Sequence, residues 1–238
     1  MIEDRIQDWA ERSLGALVLE RPGRSVALEH FGLDYCCGGK ERLATACERK
    51  GLELGTVIAA LERVDASPER EDLTWQASPL MAINHIVSTH HAYTKEALPR
   101  LQRLTQRVAR VHGLQDPRLV TLEASFETFA LETLDHMDKE ERMLFPMIQA
   151  LSMGERWPLP PTVQFPINCM LREHDQHAAH LEAFRALTDG YVPPENACGT
   201  WRALLDGLQD LEQDLHRHIH KENSFLFPLA IELEQAAS

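Results

Sequence analysis

Two copies of one short pattern carry the residues with the clearest metal chemistry. His136 is followed four positions later by Glu140, and His218 is followed in the same way by Glu222. Both copies fit H-x-x-K-E-x-x-x-L-F-P without a gap. Because positions i and i+4 of an α-helix point to the same side, each pair presents an imidazole and a carboxylate together. Mixed nitrogen and oxygen donors of this kind favour iron or manganese.

Two further histidines precede the two copies at nearly equal distances. His91 lies before the first His-x-x-x-Glu pair, and His174 lies before the second. This spacing indicates a duplicated helical hairpin in which each copy contributes one histidine and then one pair. His90 is an alternative to His91, because aligning the Ile-Asn dipeptides upstream places it opposite His174. The helical stripe favours His91.

All six residues fall on apolar stripes with the 3-4 spacing of a buried helix face. Burying carboxylates without a partner is costly, and no Lys or Arg lies on these stripes to neutralise them. Two cations would do so, with an oxo or hydroxo bridge between them as a further ligand. The predicted metal ligands are His91, His136, Glu140, His174, His218 and Glu222.

The elements that position these residues are four long helical segments separated by Gly and Pro breakers. Their predicted ranges are about 79–111, 117–151, 162–188 and 195–235. Such lengths are typical of an up-down four-helix bundle. The sequence therefore predicts an all-α protein with a small helical N-terminal domain (1–62), a polar linker (63–78) and the bundle (79–238).

Composition limits the classes of partner. The formal net charge of −13 argues against nucleic acid or an anionic membrane surface. The chain has no apolar run long enough to cross a membrane, and its charged N-terminus lacks the apolar core of a secretory signal. Five scattered cysteines do not form a disulfide framework. A reduced, cytoplasmic protein is expected.

Cys36 and Cys37 stand next to each other in the motif Asp34–Gly39, with sequence DYCCGG. Exposure at a flexible turn would favour reactive thiolates. Such a pair could form a vicinal disulfide, hold a thiol-bound adduct, or deliver or receive iron, and these two cysteines are the candidate catalytic residues. The alternative is that they are small packing residues at a turn. The other three cysteines are expected to be inert.

The remaining histidines and the two lysines of the repeat are expected to have lesser roles. His85 and His177 are candidates to line the metal pocket. Side chains expected on the surface are His30, His112, His180, His216, His220, Lys139 and Lys221.

The DYCCGG motif and the helix HMDKEERMLFPMI that begins at His136 resemble the Repair of Iron Centers family, the ScdA/YtfE-type proteins. The resemblance covers nearly the whole chain and implies a hemerythrin-like bundle with two iron ions bridged by Glu140 and Glu222. It places the ligands on the six residues named above. It also implies that His91 and His136 serve one iron, and His174 and His218 the other.

The resemblance implies a function in restoring iron–sulfur clusters damaged by nitric oxide or peroxide, by supplying iron. Damaged iron–sulfur proteins would be the partners. Two alternatives remain open: a di-iron enzyme that reduces nitric oxide or peroxide, and a hemerythrin-like module that binds or senses O2 or nitric oxide. A homodimer formed through the N-terminal domain is also an open expectation.

Overall fold

The chain is helical, without a β-strand, over the residues that the computed structural model describes, which are 2–68, 72–155, 157 and 162–236. This confirms the all-α prediction. Five short helices come first: α1 (Ile2–Glu11), α2 (Leu14–Glu20), α3 (Arg24–His30), α4 (Leu43–Lys50) and α5 (Leu54–Asp65). A 3₁₀ turn at Leu73–Ala77 follows them. Within these described ranges, no helix is both long and apolar enough to span a membrane.

Four long helices form the rest of the fold, and three of them contain a π-helical segment. The first consists of α6 (Pro79–His85), π1 (Ile86–His91) and α7 (Ala92–His112). The second consists of α8 (Arg118–Lys139), π2 (Glu140–Leu144) and α9 (Phe145–Ser152). The third is α10 (Gln164–Leu187). The fourth consists of α11 (Gly199–Lys221), π3 (Glu222–Leu226) and α12 (Phe227–Ala236).

The helix ends follow the breakers in the sequence. Ser78 caps the first bundle helix by accepting the N–H of Met81, and Pro79 occupies the first turn. Gly190 ends the third with a φ of 74° and donates its N–H to the carbonyl of Arg185. Most of the predicted Trp-Pro-Leu-Pro-Pro break, and residues 69–71 of the predicted linker, lie outside the described residues.

Each of π2 and π3 ends immediately before a proline-containing turn. The N–H of Phe145 donates to the carbonyl of Glu140, five residues back, and Phe227 bonds Glu222 in the same way. Pro146 and Pro228 come next, and proline has no N–H for the usual bond to the residue four positions back. The wide turns therefore begin at the candidate ligands Glu140 and Glu222. Single π-helical turns inside α-helices often lie at functional sites.

Buried apolar side chains form two clusters, one on each side of a polar layer in the bundle. One cluster contains Leu101, Phe129 and Leu211 and continues into the N-terminal helices through Leu14 and others. The other cluster, at the opposite end, contains residues from all four bundle helices, such as Ile83, Ile148, Ile167 and Leu226. The candidate ligands lie between these clusters, so solvent does not reach them through the bundle core.

Candidate metal centre

Six buried side chains from the four bundle helices meet in the polar layer, and each is at most 2% exposed. Their donor atoms form two groups, and within each group these atoms all lie within 4.8 Å of one another. The first group is His91, Glu140, His218 and Glu222, and the second is His136, Glu140, His174 and Glu222. The six residues that the sequence selected are therefore brought together, and His90 lies outside both groups.

Each glutamate spans the two groups. The Oε2 of Glu140 lies 3.4 Å from His91 Nε2, and its Oε1 lies 3.2 Å from His136 Nε2. The Oε1 of Glu222 lies 3.3 Å from His218 Nε2, and its Oε2 lies 3.1 Å from His174 Nε2. Each carboxylate thus offers one oxygen to each group, which is the arrangement of a bridging ligand.

The histidine pairing differs from the expectation. His91 Nε2 lies 3.2 Å from His218 Nε2, and His136 Nε2 lies 3.2 Å from His174 Nε2. The first helix therefore shares a group with the fourth, and the second with the third. The expected pairing of His91 with His136, and of His174 with His218, is wrong, because it assumed that each repeated hairpin completes its own group.

Two ligand histidines are oriented by carboxylates outside the groups. His91 Nδ1 lies 2.7 Å from Glu141 Oε1, and His136 Nδ1 lies 2.8 Å from Glu173 Oε2. Because a carboxylate accepts, Nδ1 carries the proton and Nε2 turns its lone pair toward the site. Lysines outside the site hold both carboxylates: Lys95 lies 2.7 Å from Glu141, and Lys139 lies 2.7 Å from Glu173.

The other two ligand histidines, His174 and His218, differ in the hydrogen bonding of their Nδ1 atoms. His174 Nδ1 lies 2.9 Å from Asn223 Oδ1. The Nδ1 of His218 is buried and has no hydrogen-bond partner among the described residues. His90 stacks on His218 with ring centroids 5.6 Å apart, but its own Nδ1 pairs with Asp214 at 2.9 Å. The group of His136 and His174 is therefore the more firmly oriented of the two.

The buried atoms of the site fit a pair of cations. All four oxygens of Glu140 and Glu222 are buried without a hydrogen-bond partner in the described chain. Since burying an unpaired carboxylate costs several kcal/mol, such atoms need a positive partner. The facing imidazole nitrogens at 3.2 Å raise the same demand, because their lone pairs would repel each other unless a proton or a cation lies between them. Metal ions bound by the four histidines would meet both needs.

Protons compete for the same donor atoms. Burial lowers the pKa of His136, but Glu140 and Glu173 outweigh it and raise that pKa to about 10. Burial likewise raises the pKa of Glu140, yet His136 and His91 hold it well below its ordinary value. In the metal-free protein this pair is therefore an imidazolium next to a carboxylate, and a metal ion must displace the proton.

Two side chains expected on the surface are buried. Lys221 is 3% exposed, and its ammonium lies 5.1 Å from the centre of the Trp75 ring. His220 is also 3% exposed and donates from Nδ1 to the carbonyl of Tyr35, 3.3 Å away. Both predictions were wrong because the 3₁₀ turn and the DYCCGG segment cover this side of the fourth helix. His177 is buried, whereas His85 is half-buried.

The DYCCGG segment is organised by its own aspartate. Asp34 Oδ1 accepts the N–H groups of Cys36 and Cys37 at 3.0 and 2.9 Å, and Oδ2 accepts that of Gly38 at 2.8 Å. A Cβ on Gly38 would lie 2.9 Å from the carbonyl oxygen of Asp34, and one on Gly39 would meet another backbone oxygen at 2.5 Å. Both glycines are therefore required by close backbone approach.

The two adjacent cysteines lie against the metal site. Asn223, which binds His174, also donates from Nδ2 to the carbonyl of Cys36 at 3.0 Å, and Cys37 Sγ lies 3.8 Å from the carbonyl of His174. Both cysteines are free thiols. Cys36 is only 4% exposed, and contact with Cys37 together with burial raises its pKa well above the ordinary value. The expected exposure is therefore wrong for Cys36, while Cys37 is half-buried.

The residues that orient the candidate ligand histidines were not predicted from the sequence. Glu141 and Asn223 follow Glu140 and Glu222 at equivalent positions of the repeat, and each binds the histidine supplied by a neighbouring helix. Their equivalent positions in the repeat could have identified them, since a carboxylate and a side-chain amide can both accept a hydrogen bond from the Nδ1–H of a ligand histidine. Glu173, directly before His174, gave no comparable signal.

Known proteins with similar sequences agree with this geometry. Residues 82–230 match the hemerythrin HHE cation binding domain, and residues 10–65 match a domain of unknown function, ScdA_N. The iron-sulfur cluster repair protein YtfE of Musicola paradisiaca is 39% identical over 224 residues, which are 94% of this chain and 97% of that protein. The YtfE protein of Yersinia pseudotuberculosis is 38% identical over 94% of this chain and 98% of its own length.

The cation-binding match and the two groups of donor atoms fall on the same residues of the bundle. The N-terminal match covers the DYCCGG segment that packs on it. The chain belongs to the hemerythrin HHE cation-binding family, and it is related over nearly its whole length to the YtfE iron-sulfur cluster repair proteins.

Proposed function

We propose that this protein binds two iron ions in the bundle and supplies iron for the repair of damaged iron–sulfur clusters in other proteins. The observation that carries the proposal is the pair of buried carboxylates, Glu140 and Glu222, each of which reaches both donor groups. Imidazole and carboxylate donors suit iron. The relatives are named iron-sulfur cluster repair proteins, which supports this use of the metal.

The donor count would leave open coordination positions on each iron ion. Each group offers two imidazoles and one oxygen from each glutamate, which makes four protein donors. Iron commonly takes more ligands than four, so positions remain for small molecules such as nitric oxide or O2, or for an incoming thiolate. When bound, the iron pair would supply redox chemistry, and reduction to Fe(II) would weaken the hold of anionic bridges on it.

We assign the first step of iron transfer to the DYCCGG segment. Asp34, Cys36 and Cys37 form a third group of donor atoms, separate from the buried six. The two cysteines line a cleft of about 250 Å³ between this segment and the bundle, next to Asn223. An ion leaving the bundle past His174 would meet thiol groups there, since Cys37 Sγ lies 3.8 Å from the His174 carbonyl.

The test begins with the metal content and Mössbauer spectrum of protein purified without added metal. We expect a coupled iron pair. Anaerobic mixing with an apo iron–sulfur protein under reducing conditions should then move ferrous iron to the acceptor. Iron that stays in this protein under those conditions would contradict the proposal. Sustained release of N₂O from added nitric oxide, with the iron retained, would favour a di-iron enzyme instead.

A second experiment separates binding from transfer. Cys37→Ser should leave the iron content unchanged, because Cys37 belongs to neither bundle group, and should slow transfer to the acceptor. Cys169→Ser is the matched control, a half-buried free cysteine outside the three donor groups. Equal transfer rates for both variants and the unmodified protein would remove the DYCCGG segment from the pathway.

A further inference from the structure

A second interior layer lies one helical turn from the ligands, on the side away from the π segments. On each bundle helix, the residue of this layer lies three positions from the candidate ligand histidine. It follows the histidine on the first and third helices and precedes it on the second and fourth. The alternating directions follow from the up-down order of the helices. The layer consists of Thr94, Thr133, His177 and Leu215, all at most 2% exposed.

Three of these side chains hold polar atoms without partners. The Oγ1 atoms of Thr94 and Thr133 and the Nδ1 of His177 are buried and make no hydrogen bond within the described chain. A helical threonine ordinarily bonds a carbonyl of the preceding turn. Thr105, also buried on α7, does so, with its hydroxyl 2.9 Å from the carbonyl of Gln102. The threonine hydroxyls of this layer therefore lack the hydrogen bond to a backbone carbonyl that Thr105 makes on α7.

His177 borders the ligands without being one of them. Its ring centre lies 4.9 Å from that of His136, with the two planes at 86°. Its nitrogens belong to neither donor group. Phe129 packs edge-on against the His177 ring at 5.8 Å and is fully buried. The imidazole therefore contacts both a buried aromatic ring and a candidate metal ligand.

Unpaired buried polar atoms are costly, and three in one interior layer call for a partner that the protein itself does not supply. We propose that Thr94, Thr133 and His177 form a ligand-binding layer that hydrogen-bonds a small polar molecule of two or three atoms held at the metal pair. The threonine hydroxyls donate or accept, and neutral His177 does either according to its tautomer. This inference rests on the proposed function, since the metal pair supplies the other half of the binding site.

Azide, a linear anion of three atoms, is the probe for this layer. It is titrated into oxidised, iron-loaded protein and followed by absorption, for the unmodified protein and for Thr94→Val, Thr133→Val and His177→Leu. Loss of one hydrogen bond should weaken azide binding about three- to tenfold in each variant. The iron content should not change, because none of the three belongs to a donor group.

A second measurement needs no metal. Replacing an unpaired buried hydroxyl by a methyl group of equal size should leave the unfolding temperature of the metal-free protein unchanged or raise it. Thr105→Val is the matched control: it should lower that temperature, since its hydroxyl has a partner, and leave azide affinity unchanged. His180→Leu serves as the histidine control, because His180 pairs with Glu132 toward the surface.

The outcomes separate the two claims. Unchanged azide affinity in all three variants, with full iron content, would overturn this proposal and leave the proposed function standing. A lower unfolding temperature for both Thr94→Val and Thr133→Val would also overturn it, because the hydroxyls would then have partners inside the protein. An unmodified protein that takes up no iron would overturn the proposed function and this inference together.

Discussion

At the scale of single residues, the two glutamates and the four histidines have different tasks. A histidine belongs to one donor group, whereas Glu140 and Glu222 each belong to both. Removing a histidine therefore weakens one position, and removing a glutamate weakens two. The orienting residues add a further difference: Glu141, Glu173 and Asn223 bind the Nδ1 atoms of three histidines, whereas His218 Nδ1 has no such partner in the described part of the chain.

Paired histidine variants test the grouping. With His91 and His218 both changed to Ala, the group of His136 and His174 stays intact, so we expect about one iron per chain. With His91 and His136 changed to Ala, each group keeps only three donors, and the protein should hold clearly less iron than the first double variant. Iron analysis after removal of loosely bound metal distinguishes these cases. Equal loss in both double variants would contradict the grouping.

A third double variant, His136→Ala with His174→Ala, measures the asymmetry. It keeps the group in which His218 Nδ1 lacks a partner. Since orienting partners are worth roughly 10- to 100-fold in metal affinity, it should bind iron more weakly than the variant lacking His91 and His218. Equal affinities would show that the missing partner has no effect.

Metal uptake should release protons and strengthen with pH. The raised pKa of His136, about 10, means that its imidazole is protonated at neutral pH in the metal-free protein. That proton stabilises the metal-free fold fully below the ordinary histidine pKa, and the stabilisation is lost as pH rises toward 10. Iron must displace it, so affinity for Fe(II) should rise about tenfold per pH unit for one proton. Competition with a chelator at several pH values measures this, and a flat profile would contradict it.

The convergence of the six candidate ligands was predictable from the sequence, and their division into two groups was not. Spacing of i and i+4 fixes the helix face that carries His136 and Glu140, whatever surrounds the helix. Which of two neighbouring helices completes a group depends on packing between segments far apart in the chain. The burial of Lys221 escaped prediction for the same reason, since Trp75, from outside the bundle, covers it.

At the scale of elements, the π segments explain an irregular buried stripe. His136, Glu140, Leu144 and Ile148 are all buried and follow one another in steps of four. A regular α-helix has about 3.6 residues per turn, so repeated steps of four would carry the stripe off the core face. The wider turn of π2 corrects this drift. The fourth helix repeats the pattern through π3, and the repeated steps of four were a signal that the sequence offered.

Changing Pro228 to Ala tests the contribution of proline to π3. Alanine restores an N–H that can bond the carbonyl of Ser224, four residues back, and so favours an ordinary α-turn. Such a turn would rotate Glu222 relative to the side chains that follow it. We expect iron affinity to fall on the order of tenfold, with the helical content by circular dichroism unchanged.

The control for this variant is Pro99→Ala. Pro99 lies inside α7, is exposed, and has no π segment beside it. Removing a proline from a helix interior ordinarily stabilises the helix, so this variant should keep its iron affinity and unfold at the same or a higher temperature. If Pro228→Ala binds iron as well as Pro99→Ala does, proline does not maintain the π turn.

At the scale of the whole molecule, the N-terminal helices hold the cysteine segment on the bundle through small residues. The N–H of Gly15 donates to the carbonyl of Gly39 at 2.8 Å. A Cβ on Gly15 would lie 2.6 Å from Ser224 Oγ and 3.0 Å from the Gly39 oxygen. Helix α2 at Gly15, the DYCCGG segment at Gly39 and π3 at Ser224 therefore meet at a point with no room for a methyl group. This point lies beside the hydrogen bond from Asn223 to Cys36.

Gly15→Ala should loosen this contact without touching a donor group. The added methyl group must push Ser224 or Gly39 away, and the shift should expose Cys36, which is now 4% exposed. We expect alkylation of Cys36 to become several-fold faster, measured by mass spectrometry. Cys198 has to be replaced by Ser first. The expectation that it is inert is wrong, because it is exposed and hydrogen bonds at the start of α11 lower its pKa to about 7, which favours the reactive thiolate.

Gly199→Ala is the matched control, since a Cβ there would meet nothing within 4 Å. It should leave Cys36 alkylation unchanged. Iron content should stay the same in both variants, because neither glycine supplies a donor atom to the two bundle groups. Unchanged alkylation of Cys36 in Gly15→Ala would contradict the role of this contact. Faster alkylation combined with slower iron transfer would show that transfer requires the cysteines to be seated beside His174.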